Sequence, residues 1–266
     1  MGKNVGIRRA RGEFILATNV DVLFSDEMVR FLASRRLRMG RMYRVDRYDV
    51  PADIPGDRTE KQLEYCRRHV IRIHTREGTR NLHSGHYHSI YPKLTWRRWA
   101  GEKMQDWGVV RVTRRSHLHT NGCGDFTLMA RHNWLAVRGY AEFDTYSFHL
   151  DSVLCHVAHH GGAREEVLRD PMRVYHIEHG TGSGWTPEGQ SALSKRLDIA
   201  GVPQVDHDGF DRWAIQMRSE RKPIIFNNDK WGLADEYLPE TTLYEVPKSE
   251  LTEALPPCPQ SSPTQR

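Results

Sequence analysis

Phe14-Ile15-Leu16-Ala17-Thr18-Asn19-Val20-Asp21 is the stretch on which the fold turns. Its short continuous apolar run reads as a buried parallel strand, and the polar groups after it stand where a strand leaves its sheet at the carboxyl end. Ligands of open α/β sheets bind in that place. Upstream, residues 3–11 can form a helix that Gly12 stops. Downstream, Ser25 caps a helix with Asp26 and Glu27 at its positive dipole end and Arg35, Arg36 and Arg38 in its last turn, before Gly40. Helix, strand, polar loop and helix predict an α/β domain.

Further along, residues 43–48 read as a strand, 51–57 as a Pro- and Asp-rich turn and 59–72 as a helix. Residues 74–120, rich in Arg, His and Trp with weak periodicity, read as an insertion lying over a sheet. Then come a strand at 126–130, a helix at 133–138 ended by Gly139, a helix at 147–160 stopped by Gly161-Gly162, and a strand at 173–177. The glycine-rich loop at 180–184 feeds a helix opened by Thr186-Pro187 and running to about residue 200. A helix at 209–219 carries Phe210, Trp213 and Met217 on one face, and 223–226 is a last strand candidate. Residues 1–245 are expected to form one domain. Residues 246–266, dominated from Pro247 by Pro, Ser, Thr and Gln, are expected to be a disordered tail.

With 266 residues, 38% of them hydrophobic, the chain can bury a sizeable core. A formal charge of +5 suits nucleic acid, an anionic membrane surface or a phosphorylated small molecule, and does not choose among them. No run approaches the roughly 18 apolar residues of a membrane span, and no signal-peptide centre is present, so the expected location is cytoplasmic. Cys66, Cys123, Cys155 and Cys258 form no CxxC pair and read as reduced thiols.

Asn19-Val20-Asp21 has the form needed to hold Mn²⁺ or Mg²⁺ against a diphosphate, because such ions take hard oxygen ligands and accept the rest from phosphate and water. Asn and Asp are also ordinary turn residues after a strand. In Tyr175-His176-Ile177-Glu178-His179-Gly180, two imidazoles three apart with an acid between them resemble a metal site. Strand alternation would send them to opposite faces, so one of the two, His179 beside the glycine-rich loop, is expected to face the cleft. Trp185 can stack on a sugar or base, or anchor the next helix. Trp96, Trp99 and Trp107, among Arg97, Arg98, Lys103, Arg111, Arg114 and Arg115, can lie on a membrane or pack against the sheet under a solvated face. His83, His86 and His88 lack a carboxylate and are assigned no metal.

Two segments carry a family resemblance. Asn4, Gly6, Ala10, Gly12 and Glu13, then the apolar run and Asp21, resemble the approach to the acidic metal motif of family 2 glycosyltransferases. Downstream, Gly124-Asp125-Phe126, Met129, Arg131, Trp134, Arg138-Gly139-Tyr140 and Glu142 resemble that family's acceptor-side strand and helix, ending at Leu150-Asp151. The family's usual Asp-x-Asp and Glu-Asp pairs are here Asn19-Val20-Asp21 and Leu150-Asp151.

The resemblance implies a GT-A-like mixed sheet flanked by helices. It also implies a metal held by Asp21 and His179 or His176, a donor contacted by Asn4 and Asn19, and an acceptor met by Asp125 and Trp185. Asp151 is then the base that takes a proton from the acceptor hydroxyl. The partners implied are a nucleotide-sugar donor and a glycan or lipid-linked acceptor, with peripheral contact at the inner membrane face and no nucleic acid. The strand and helix units that bind the base and ribose in that family are expected before Met1, so the chain by itself is expected to bind UDP- and GDP-sugars weakly. The other readings are a catalytically inactive glycan- or nucleotide-binding relative and, from charge alone, a nucleic-acid-binding protein.

Overall fold

A computed structural model describes residues 1–56, 58–89, 117–179 and 187–239. The chain opens with helix α1 (Gly2–Arg9), strands β1 (Phe14–Thr18) and β2 (Val22–Phe24), and helix α2 (Asp26–Ala33). Strands β3 (Arg41–Val45) and β4 (Arg47–Val50), helix α3 (Thr59–Arg68), and strands β5 (Arg72–His74), β6 (Gly78–Asn81) and β7 (Tyr87–Ser89) follow. After the undescribed stretch come β8 (Phe126–Ala130), α4 (Arg131–Val137), α5 (Leu150–His160), β9 (Arg164–Leu168), β10 (Val174–Ile177), α6 (Pro187–Ile199) and α7 (His207–Glu220).

The α/β class holds, but the strands form two mixed sheets rather than one. Their orders are β1-β8-β3-β9 and β2-β10-β4-β5-β6-β7. The chain crosses from the first sheet to the second three times, through residues 19–21 between β1 and β2, at Asp46 between β3 and β4, and through residues 169–173 between β9 and β10. For that reason the single strand expected at 43–48 is two strands in different sheets. β1 is antiparallel to β8, with Phe14 opposite Ala130 and Thr18 opposite Phe126, not parallel as expected. Its unbroken apolar run reflects burial on both faces. Ile15 and Ala17 join a core with Trp134, Val153 and Leu154, whereas Phe14 and Leu16 pack against Phe126, Leu128 and Met28. Trp134 fixes this edge by donating its indole N–H to the carbonyl of Ile15 at 3.0 Å.

Ser25 caps α2 through a hydrogen bond from the Met28 amide at 3.2 Å, satisfying one orphan donor of the first turn. The helix stops at Ala33, earlier than expected. Arg35 adopts the left-handed conformation (φ 54°), so Arg36 and Arg38 lie beyond the helix. α3 ends at Arg68 because Arg72 already belongs to β5. β9 was not anticipated, residues 223–226 form no strand, and α5 begins at Leu150 rather than at 147. Residues 78–89 form a β-hairpin where an insertion was expected, and 90–116 lie outside the described residues. On α7, Phe210, Trp213 and Met217 all face the first core, as their spacing predicts. Met1–Ala234 forms one compact unit. Asp235–Arg266 is assigned to a second, of which 235–239 are described, and the expected tail at 246–266 lies outside the described residues. Among the described residues no helix is long and apolar enough to cross a membrane.

Asn4, expected to meet the donor, is a structural clasp in this fold. It is 1% exposed and donates to the Tyr140 carbonyl at 2.8 Å and to Glu142 Oε1 at 2.9 Å. It also accepts from the Tyr140 amide at 2.8 Å, which leaves its amide group engaged within the chain. A Cβ at Gly139 (φ 67°) would overlap Asn4 Oδ1, which explains the glycine there. Replacing Asn4 with alanine leaves the buried Tyr140 amide without its acceptor. That change is expected to lower stability by about 1–3 kcal/mol, read as a fall in denaturant midpoint at unchanged slope.

Candidate functional site

The site lies where the chain passes between the two sheets. β10 sits between β2, antiparallel to it, and β4, parallel to it. The register sets Val22, His176, Asp49 and Arg72 in one cross-strand row, with Asp21 just ahead of β2. The Ile177 amide donates to the Asp21 carbonyl at 2.9 Å, pinning the end of β10 against this loop. Asp21 Oδ2 is consequently 2.7 Å from His179 Nε2 and 3.5 Å from His176 Nε2.

Each of the three residues offers one ligand atom, all within 4.8 Å of one another. Both imidazoles reach the carboxylate, although alternation along a strand predicted that only one would. The reason is that β10 stops at Ile177, so His179 lies past the last alternating position. His176 is buried and His179 exposed, which gives the group one inner and one solvent-facing nitrogen. Burial alone would raise the Asp21 pKa. The His179 hydrogen bond and the charge of His176 outweigh it and hold the carboxyl below its ordinary value, ionised at neutral pH. Asp21 Oδ1 is buried, and no hydrogen-bond donor among the described residues reaches it. An anionic oxygen in that condition is a fit for a cation. One carboxylate and two imidazoles suit Mn²⁺ better than Mg²⁺, which prefers oxygen alone.

On the other side of residues 19–21, β1 and β8 bring Asn19 against Asp125. Asn19 Nδ2 donates to Asp125 Oδ1 at 2.6 Å, and Arg47 Nη1 donates to Asp125 Oδ2 at 3.0 Å. Asp125 is buried with both oxygens engaged, so its place is in the wall of the site. Asn19, anticipated on the donor side, is likewise tied to that wall. Gly124 opens the wall toward α5, since a Cβ there would lie 2.6 Å from Asp151 Oδ2 and 3.6 Å from Asn19 Nδ2. Asp151 stands in the first turn of α5 and is half-buried. Desolvation raises its pKa above the ordinary carboxylate value, Asp125 adds to the rise, and Lys3 and Arg44 oppose it. Lys3 is held there by its hydrogen bond to the Gly124 carbonyl at 2.9 Å.

Arg44, which has no counterpart in the expectations, supports this wall from below. It is fully buried and donates to the carbonyls of His119 and Cys123, both at 3.2 Å, and to Thr127 Oγ1 at 2.8 Å. A second unanticipated group is Arg47, Asp49, Arg72, His74 and Glu178, which links the two halves of the site. Its visible signal is the run Arg44-Val45-Asp46-Arg47-Tyr48-Asp49, in which charged residues recur inside a strand pattern. Trp185, the loop at 180–184 and the segment carrying Trp96, Trp99 and Trp107 lie outside the described residues. His83, His86 and His88 are exposed and take no part in the converging group. No protein-family model matches the chain, and the search of curated proteins finds no match.

Proposed function

We propose that this chain is a metal-dependent glycosyltransferase, moving a sugar from a nucleotide-sugar donor to a glycan or lipid-linked acceptor with Asp151 as general base. The observation that carries the reading is the convergence of Asp21, His176 and His179 on one point, beside a wall that holds Asp151. The resemblance to family 2 glycosyltransferases supplies the reaction class. Mn²⁺ held by those three residues would supply positive charge for the diphosphate that departs from the sugar.

The chain's own groups divide the remaining work. Asp21, kept ionised by its two histidines, provides the anionic ligand and His176 a buried nitrogen ligand. His179, exposed at the rim, provides a ligand on the solvent side. Asp151 takes the proton of the attacking hydroxyl, and Gly124 leaves the space that its carboxylate needs. A lipid-linked acceptor would place the reaction in the cytoplasm, at the inner face of the membrane.

The test is transfer by the full chain at millimolar UDP- and GDP-sugars with glycan and lipid-linked acceptors, followed by release of nucleoside diphosphate. Release that requires both Mn²⁺ and acceptor is the expected result. Glycan or nucleotide binding without release for any donor would overturn the transferase reading in favour of a non-catalytic binding protein.

A further inference from the structure

We infer that Asp49 is the positioning residue of the metal site, orienting His176 from behind and tying it to the Asp125 wall. The inference rests on the reading of Asp21, His176 and His179 as a metal site.

Asp49 is 0% exposed in the middle of the six-stranded sheet, directly across from His176 on β10 and from Arg72 on β5. A carboxylate so placed needs partners on every side, because burying an unpaired charge costs several kcal/mol. It has them. Oδ2 is 2.9 Å from Arg72 Nε and 2.8 Å from His74 Nε2, and Oδ1 is 2.9 Å from Arg47 Nε. Each partner is itself held by a further group. Arg47 reaches Asp125, Arg72 pairs with Glu178, and His74 Nδ1 meets Thr79 Oγ1 at 2.9 Å. The partners therefore fix where Asp49 sits, independently of His176.

The fourth side of Asp49 faces the candidate metal ligand. His176 Nδ1 lies 3.3 Å from Asp49 Oδ1, while its Nε2 points to Asp21. Both facing atoms are buried, and neither makes a hydrogen bond of good geometry to any group, so the 3.3 Å contact between them is one of proximity and charge. Two carboxylates thus compete for the single proton of a neutral His176. Asp21 Oδ2 already accepts from His179 at 2.7 Å, whereas Asp49 Oδ1 lacks a well-directed donor. The proton belongs on Nδ1, facing Asp49, which leaves the Nε2 lone pair free on the Asp21 side, where a metal ligand needs it. An outer carboxylate acting on a ligating imidazole in this way sets its tautomer and raises its basicity. Through Arg47, the same carboxylate ties the ligand to the wall that carries Asn19 and Asp125.

The test has two parts, both on the full chain. Long-range ¹⁵N NMR of the metal-free protein at pH 8 reports the tautomer of His176, assigned with His176→Gln, and the Nδ1–H form is expected. Mn²⁺ titration then compares the unsubstituted chain with Asp49→Asn, for which affinity is expected to fall by about 10- to 100-fold. Asp46→Asn serves as the control, since it removes the charge from a similar carboxylate–imidazole contact, to His119 at 2.8 Å, and is expected to leave Mn²⁺ affinity unchanged. If the unsubstituted chain binds no Mn²⁺, the metal reading fails and this inference with it. If it binds Mn²⁺ while His176 carries its proton on Nε2, or while folded Asp49→Asn binds equally well, only the role of Asp49 is overturned. Should Asp49→Asn fail to fold, the tautomer of the unsubstituted chain decides.

Discussion

Replacing Asp151 with asparagine is expected to lower sugar transfer by about 10²- to 10⁴-fold, the range associated with a positioned general base, while Mn²⁺ affinity stays unchanged. The substitution keeps the shape and hydrogen-bonding capacity of the side chain beside Gly124 but removes its ability to take a proton. The carboxylate also predicts a pH dependence with a definite sign. Its pKa is raised above the ordinary 3.8, mainly by desolvation, so transfer should climb as pH rises through that raised value. Asp151→Asn should lack this limb. Stability should move the other way. Between 3.8 and the raised pKa the native state binds more protons at this position than the unfolded chain does, so its contribution falls as pH rises through that window. Unchanged turnover in the variant would remove Asp151 from the chemistry, and loss of Mn²⁺ binding along with turnover would assign it to the architecture.

Some of this molecule was legible locally. Ser25 with Asp26 and Glu27 announces a helix start because the cap and the dipole act within a single turn. The strand at Phe14–Thr18 was equally plain, yet its direction was not. A continuous apolar run reports only that both faces are covered, and here they are covered by two cores on an antiparallel sheet. Asp21, His176 and His179 could be singled out because each borders a strand end. That both histidines reach Asp21 depends on β10 stopping at Ile177, and a boundary of one or two residues is what periodicity resolves least. Asn4 shows the converse. Its place in a motif suggested a ligand contact, whereas its three hydrogen bonds hold α1 to residues 140–142.

Arg47, Asp49, Arg72 and His74 went unassigned for a different physical reason, although the charged run at 44–49 is plain in the sequence. Charged residues in a strand read as a solvated face, and only pairing between β4, β5 and β10 turns them inward. Asp49 shows how far pairing changes a residue. Desolvation alone would push its pKa up, but close contacts with His176 and His74 and the charge of Arg47 hold it far below the ordinary carboxylate range. Nothing in its sequence neighbours 48 and 50, a tyrosine and a valine, foretells that environment.

Asp21→Asn is expected to abolish Mn²⁺ binding, by at least about 10²-fold, exceeding the 10- to 100-fold typical of losing an outer partner. The argument is one of charge. His176 and His179 are the other two members of the group and are neutral when they ligate, so among the described residues Asp21 is its only anionic ligand. Asparagine preserves an oxygen at nearly the same point, but it is uncharged, and its amide nitrogen would face either an imidazole or the buried position now held by Oδ1. The backbone should tolerate the change, since the Asp21 carbonyl keeps its bond from the Ile177 amide regardless of side chain. Electron paramagnetic resonance of free Mn²⁺ titrated with the protein measures the affinity directly, and thermal unfolding checks the fold. Proton linkage offers a further sign. Imidazoles must shed their protons to ligate, so Mn²⁺ affinity of the unsubstituted chain should rise with pH. A folded Asp21→Asn variant that binds Mn²⁺ as tightly as the original chain would mean that the ion sits elsewhere, and would end the metal-site reading on which the proposed reaction depends.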